Sequence, residues 1–253
     1  MRIFAISDLH VDYEENFNWL VNLSNLDFKN DMLIVAGDIS DLIDKLKLSF
    51  GQLTKKFSRV FYVVGNHDLW VIRNKIKDSI QSFGMIQEIA QDNGVITTPF
   101  HFQSFSIIPL YGWYDYSFGT PQKELNNMWV DYYACKWPEN FNEAAITEYF
   151  VSMNEDFPDS AKNNLTISFS HFLPRIDLMP LYIPYSRRIL YPVLGTSRLE
   201  TQIRKLKSQI HIYGHSHVNA NTVIDGIRYL NNAYGYPNEH IITKKKLLCV
   251  HEI

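Results

Sequence analysis

Apolar residues along the chain recur with two different spacings. Short runs dense in Ile, Val and Leu, without polar alternation, occupy Ile3 to Ser7, Met32 to Ala36, Val60 to Val64, Phe105 to Leu110, Leu165 to Ser170 and Ile210 to Tyr213. Runs of this kind predict strands covered on both faces of a sheet. Between them the step changes to three and four residues. Leu42, Leu46, Phe50, Leu53 and Phe57 share one helical face. Ile72, Ile76, Ile80, Phe83 and Ala90 share another, with Gly84 a candidate break. Leu199, Ile203 and Leu206 follow a capping box, Ser197 to Glu200. The tail from Ala220 to Ile253 reads as strands joined by turns at Asp225-Gly226 and around Lys244 to Lys246. Alternating strands and helices predict βαβ units, and the tail predicts a second sheet or an antiparallel extension. The expected fold is α/β, a sheet-on-sheet core with helices outside, forming one domain over residues 1–253.

Two stretches interrupt the pattern. Tyr111 to Trp137 holds nine aromatic residues, and Pro174 to Pro192 holds four of the ten prolines. Both read as long loops or a cap at 111–137 and 174–192. Trp113, Tyr114, Tyr116 and Trp129 either pack as a small satellite core, the favoured reading, or line a site. Arg175, Arg187 and Arg188 read as solvated surface rather than phosphate ligands.

Composition removes several classes of protein. Hydrophobic residues make up 46% and charged residues 20% of 253, a globular balance that excludes a disordered or coiled-coil chain. The longest apolar runs, such as Val60 to Val64, have five residues, whereas a bilayer span needs about 20. The N-terminal apolar stretch is too short for a signal peptide. Two cysteines, Cys135 and Cys249, make no disulfide framework, so a reducing, cytoplasmic setting is expected. A formal charge of −3 argues against a broad nucleic-acid surface.

The candidate chemistry lies immediately after the strands. The first is followed by Asp8-Leu9-His10, the second by Gly37-Asp38-Ile39-Ser40-Asp41, and the third by Gly65-Asn66-His67-Asp68. Two later strands lead to His171 and to Gly214-His215-Ser216-His217. Sites in α/β sheets gather at the carboxyl ends of strands, so these five segments are expected to converge. Asp8 and His10, two apart in an extended segment, would point the same way, as would His215 and His217. The donors are carboxylate and amide oxygen and imidazole nitrogen, which suits Mn, Fe, Zn or Ni. Seven ligands exceed the needs of one ion, and two ions bridged by a carboxylate use them all. His101, His211, His240 and His251 lack this context and read as structural or exposed.

In these five motifs the chain resembles the calcineurin-like metallophosphoesterase superfamily, over residues 8 to 217. The resemblance implies a four-layer α/β sandwich of two mixed sheets with helices outside. It implies two divalent or trivalent metal ions: Asp8, His10 and His217 would hold the first, Asn66, His171 and His215 the second, and Asp38 would bridge them. His67 would assist the leaving group and Asp41 would hydrogen-bond and orient His67. Asp68 matches the motif but carries no assigned chemistry. In the protein serine/threonine phosphatases of this superfamily an Arg follows Gly-Asp-x-x-Asp. Here that residue is Leu42, and Asp68 replaces their Glu, which argues against a phosphoprotein substrate. The expected activity is hydrolysis of a small phosphoester, with a diester favoured. A phosphomonoesterase or nuclease of the same superfamily and a non-catalytic scaffold are the rivals.

Overall fold

The structure is a computed structural model that describes residues 1–155 and 165–253. Each predicted strand forms, within one residue at either end. The first sheet contains β1 (Arg2–Ile6), β2 (Met32–Ala36), β3 (Arg59–Val63), β4 (Val95–Ile96) and β11 (Leu248–Glu252), in the order β11-β1-β2-β3-β4. Its first four strands run parallel, and β11 lies antiparallel to β1. The second sheet contains β5 (Phe100–Phe102), β6 (Phe105–Pro109), β7 (Leu165–Phe169), β8 (Ile210–Tyr213), β9 (Ala220–Ile224) and β10 (Ile227–Asn231), in the order β5-β6-β7-β8-β10-β9. Strands β6, β7, β8 and β10 are parallel, with antiparallel β5 and β9 at the edges.

The two mixed sheets pack together with helices outside. Every residue of β2 and β6 is buried, as a strand covered on both faces requires. Helix α1 (Glu14–Asn22) packs on α2 (Ile43–Lys56), which packs in turn on α3 (Ser79–Asp92). In α2, Leu46, Phe50 and Leu53 are buried on the predicted face. Beyond β6 come α4 (Lys123–Met128), α5 (Asp131–Ala134) and α6 (Glu143–Ser152), and α7 (Ser197–Lys205) precedes β8. In α7, Leu199 and Ile203 are both buried.

Four local expectations change. Helix α3 starts only at Ser79, where the Asp78 side chain accepts from the Gln81 N–H; Ile72 lies outside it and is 55% exposed. Gly84 does not break α3, because it faces open space. The cap of α7 is Thr196, whose hydroxyl accepts from the Arg198 N–H. Glu200 instead accepts from Arg204, Arg175 and the Tyr229 hydroxyl. Lys244 to Lys246 is not a hairpin end: Lys245 is half-buried and donates to the carbonyls of Gly235 and Tyr236.

That last contact belongs to a crossing of the chain between sheets. After β10 the backbone leaves the second sheet and pairs with the end of β1. Ser7 donates to the Asn232 carbonyl, and the Ser7 and Asp8 carbonyls accept from Tyr234 and Gly235. Asn232 fastens the crossing by donating to the carbonyls of Ala5 and Lys246. The crossing delivers Tyr236 and Glu239 to the ends of β1, β2, β3, β7 and β8, where all five sequence motifs lie.

Candidate metal centre

The backbone at this edge is locally strained. Asp8, His10, Asp38, His215 and His217 have φ of 52°, 42°, 55°, 65° and 53°, left-handed values uncommon for residues with a Cβ and typical of functional sites. The pairs Asp8/His10 and His215/His217 therefore converge through left-handed turns, not through the extended alternation expected from their spacing. Gly65 is needed for close approach, since a Cβ there would lie 2.6 Å from the Asp38 nitrogen.

Among the described residues, His10, Asp38 and His67 form one donor group, and the predicted ligands form two more. In one, Asp8, His10 and His217 bring one donor atom each within 4.8 Å of one another; in the other, Asp38, His171 and His215 do the same. Their hydrogen bonds fix which imidazole nitrogens are bare. His171 Nδ1 lies 2.9 Å from the Ala36 carbonyl, and His215 Nε2 lies 3.0 Å from the Val193 carbonyl. A carbonyl only accepts, so both outer nitrogens donate. In a neutral imidazole the inner nitrogens then carry lone pairs. Those inner atoms, His171 Nε2 and His215 Nδ1, face each other at 3.1 Å. The Asn66 Oδ1 faces the same His171 nitrogen at 3.0 Å, while the Asn66 amide donates to Asp131 Oδ1 at 2.8 Å. Three acceptors converge with no proton to share, an arrangement that fits a cation.

The other group is built alike. His217 Nδ1 lies 2.7 Å from Glu239 Oε2, and its Nε2 faces His10 Nε2 at 3.1 Å and Asp8 Oδ1 at 3.3 Å. Outer carboxylates and carbonyls of this kind orient metal-ligating imidazoles. Asp38 stands between the groups. Its Oδ1 accepts from the His67 N–H at 2.9 Å, and its Oδ2 lies 3.4 Å from His171 Nε2 and 3.9 Å from His10 Nε2. All seven predicted ligands are buried and meet at one edge.

Burial keeps His171 neutral and lowers His215 to about 3. It also opposes charge on His217, but Asp8 and Glu239 override it and raise that imidazole to about 10. Burial also works against ionising Asp8, yet His217 holds it well below the usual carboxylate range. Burial, then Asp68 and Asp8, push Asp38 well up. A cation binding here must displace the proton on His217, so its affinity falls as pH falls.

His67 lies against the Asp38 carboxylate, its Nε2 3.9 Å from Oδ2, and stacks on Trp70 with centroids 3.7 Å apart. Asp41 does not orient it. The Asp41 carboxylate accepts from Arg73, and among the described residues no hydrogen bond joins it to His67. The Tyr236 hydroxyl lies 3.3 Å from the imidazole Nε2. The reason is local: Arg73 supplies a charge partner that draws Asp41 away.

Asp68 proves to be the organiser of two motif loops. Its Oδ2 accepts from the N–H groups of Asp38 and Gly65, and its Oδ1 from those of Ile39 and Ser40, at 2.8–3.0 Å. Three site residues had no sequence signal. Asp131 holds both Asn66 and the Trp70 indole N–H, while Glu239 and Tyr236 arrive on the inter-sheet crossing. The aromatic stretch divides: Trp113 and Tyr114 are each 1% exposed in the core, whereas Trp129 lines the pocket and meets His215 edge-on. Arg175 pairs with Asp177 and Glu200, as a surface residue does.

Donor sets of oxygen and nitrogen on either side of one carboxylate, with an imidazole beside them, could hold metal ions. The comparisons agree. A family model described as calcineurin-like phosphoesterase matches residues 1–219. The chain belongs to that family and is a metal-dependent phosphoric ester hydrolase. It is 27% identical to the [acyl-carrier-protein] phosphodiesterase PptH of Mycobacterium tuberculosis, over 94% of this chain and 78% of that protein. It is 26% identical to protein L509 of Acanthamoeba polyphaga mimivirus, over 94% and 93%. The crystal structure of phosphopantetheinyl hydrolase PptH from M. tuberculosis has the same fold, with a TM-score of 0.81, 24% identity and coverage of 98% of this chain and 95% of that one. Among the described residues no helix is long and apolar enough to cross a membrane.

Proposed function

We propose that the chain is a dinuclear phosphodiesterase. Asp8, His10 and His217 would hold one ion, Asn66, His171 and His215 the other, and Asp38 would serve both. The observation that carries this is the position of that oxygen, within 3.9 Å of an inward imidazole nitrogen from each group. The ions are drawn from Mn, Fe, Zn and Ni, because the donors are imidazole and oxygen without thiolate. Such a pair supplies hydroxide near neutral pH and offsets charge on phosphoryl oxygens.

The protein's own groups do the rest. Asp131 keeps the Asn66 oxygen turned inward, and Glu239 holds His217 by Nδ1 so that its Nε2 faces inward. His67 is held neutral by burial, then by His10. A bound phosphate reverses that and lets the imidazole carry the proton that it gives to the leaving oxygen. Asp41 has no part in this step. Residues 1–253 are read as one catalytic unit, supported by the entry of β9 and β10 into one sheet and β11 into the other. A reducing, cytoplasmic setting is supported by two unpaired cysteines.

The substrate reading follows the relative: a phosphopantetheinyl diester on a carrier protein. Protein reconstituted separately with each metal should release phosphopantetheine from holo-acyl-carrier protein, seen as the apo mass. Retention of the holo mass while an aryl phosphodiester is hydrolysed would sink the carrier-protein substrate alone. Turnover of single-stranded DNA in preference to both would favour a nuclease.

A further inference from the structure

Two grooves open from the metal centre, of about 250 Å³ and 440 Å³. His67, Trp70 and Tyr236 line both and form the partition between them. Apolar Met128, Trp129, Val130 and Leu190 line the first groove together with the ligands. Met128 and Val130 are each 48% exposed. Trp129 is fixed, because its indole N–H donates to the Tyr114 hydroxyl at 3.1 Å. The second groove carries Asp12, Tyr13, Asp41 and Arg73.

Charge selects what these grooves accept. Among the described residues, no Lys or Arg lines the first groove, and its acidic members are Asp38, Asp131 and Glu239. Arg73 in the second is paired with both Asp12 and Asp41. An anionic arm, such as the rest of an oligonucleotide, meets carboxylates in either direction and no unpaired cation. An uncharged arm meets apolar side chains that water otherwise covers. A monoester would use only one of the two grooves, whereas a diester has an arm for each.

We propose that the Met128–Leu190 groove seats an uncharged, largely aliphatic arm of a phosphodiester, the other ester arm being left to the second groove. The inference rests on the phosphodiesterase reading and adds the arm's chemistry and location. Pantetheine, a chain of amides and methyl groups without charge, is of this class.

The test uses the full-length, Mn-loaded protein and p-nitrophenyl phosphodiesters with a methyl, hexyl or ω-carboxyhexyl second arm, with p-nitrophenyl phosphate as the monoester. The hexyl diester should exceed the methyl diester in kcat/KM by about 30-fold, for burial of roughly half of the added methylenes. The terminal carboxylate should remove most of that gain. In the double variant M128S/L190S the hexyl-to-methyl ratio, read within the one preparation, should fall to about 1. Equal rates for hexyl and methyl in the parent protein, an unchanged ratio in the variant, or a faster carboxylate would each overturn the arm site. If instead every diester is inert while the monoester turns over, it is the phosphodiesterase reading that fails.

Discussion

Asp68 offers a quantitative test of how the site is held together. It is 1% exposed, and its two oxygens accept four backbone N–H groups from the Asp38 loop and the Gly65 turn. Asp68→Asn keeps the shape and leaves no cavity, so its effect lies in hydrogen bonding and in the charge removed from beside Asp38. The amide presents one oxygen and one NH2 group. Two of the four N–H donors keep an acceptor and the other two face a donor. Each lost bond to a buried carboxylate costs roughly 1.5–3 kcal/mol, giving about 3–6 kcal/mol for two. Total stabilities run to about 5–15 kcal/mol, so the variant should fold marginally. For a chain of this size the melting temperature should fall by roughly 6–12 °C. Urea unfolding followed by tryptophan fluorescence and far-ultraviolet circular dichroism, with Mn content on the same samples, measures both consequences. Metal affinity should fall as well, because the displaced loops carry Asp38 and Asn66. A loss below 1 kcal/mol with unchanged metal content would refute the view that Asp68 organises these loops.

Other consequences follow from the same contacts. His67→Ala should retain two ions per chain and lose about 10²–10⁴-fold in turnover; unchanged turnover in a metal-replete sample would remove His67 from the chemistry. Glu239→Gln frees the tautomer of His217 and should weaken metal binding by about 10–100-fold, read by competition with a chromogenic chelator; parent affinity would show that this bond does not orient the ligand. His211 is buried between Ser168 and Ser170 and is held down to about 3 by burial. An unfolded imidazole titrates near 6.5, so between these values the unfolded chain binds more protons and stability is lost as pH falls. Relative to the parent, His211→Gln should gain about 3 kcal/mol between pH 7 and 4; a difference independent of pH would contradict the buried neutral imidazole.

The strands and the convergence of the candidate ligands were legible because each β-run is buried on both faces and each candidate ligand follows a strand directly. Position in the sheet then does the converging. What escaped has no such local mark. Asp131 and Glu239 act on ligands 65 and 22 residues away, and nothing in their own neighbourhoods distinguishes them from ordinary acidic residues. Left-handed backbone at Asp8 and His215 cannot be seen in side-chain periodicity. Ile72 shares a three-four spacing with α3 but precedes its Asp78 cap, so periodicity misplaced the helix start where the capping residue marks it. Asp41 was assigned by resemblance to an orienting role. Arg73, a residue the motif does not contain, claims its carboxylate instead.

The account stands or falls on Asp38 joining two cation sites. Anomalous diffraction at the Mn edge from crystals of the Mn-loaded protein tests this directly. The expected map has two peaks about 3.5–4 Å apart, one against Asp8, His10 and His217 and one against Asn66, His171 and His215, with the Asp38 carboxylate touching both. One peak, or two with that carboxylate turned away, would contradict it.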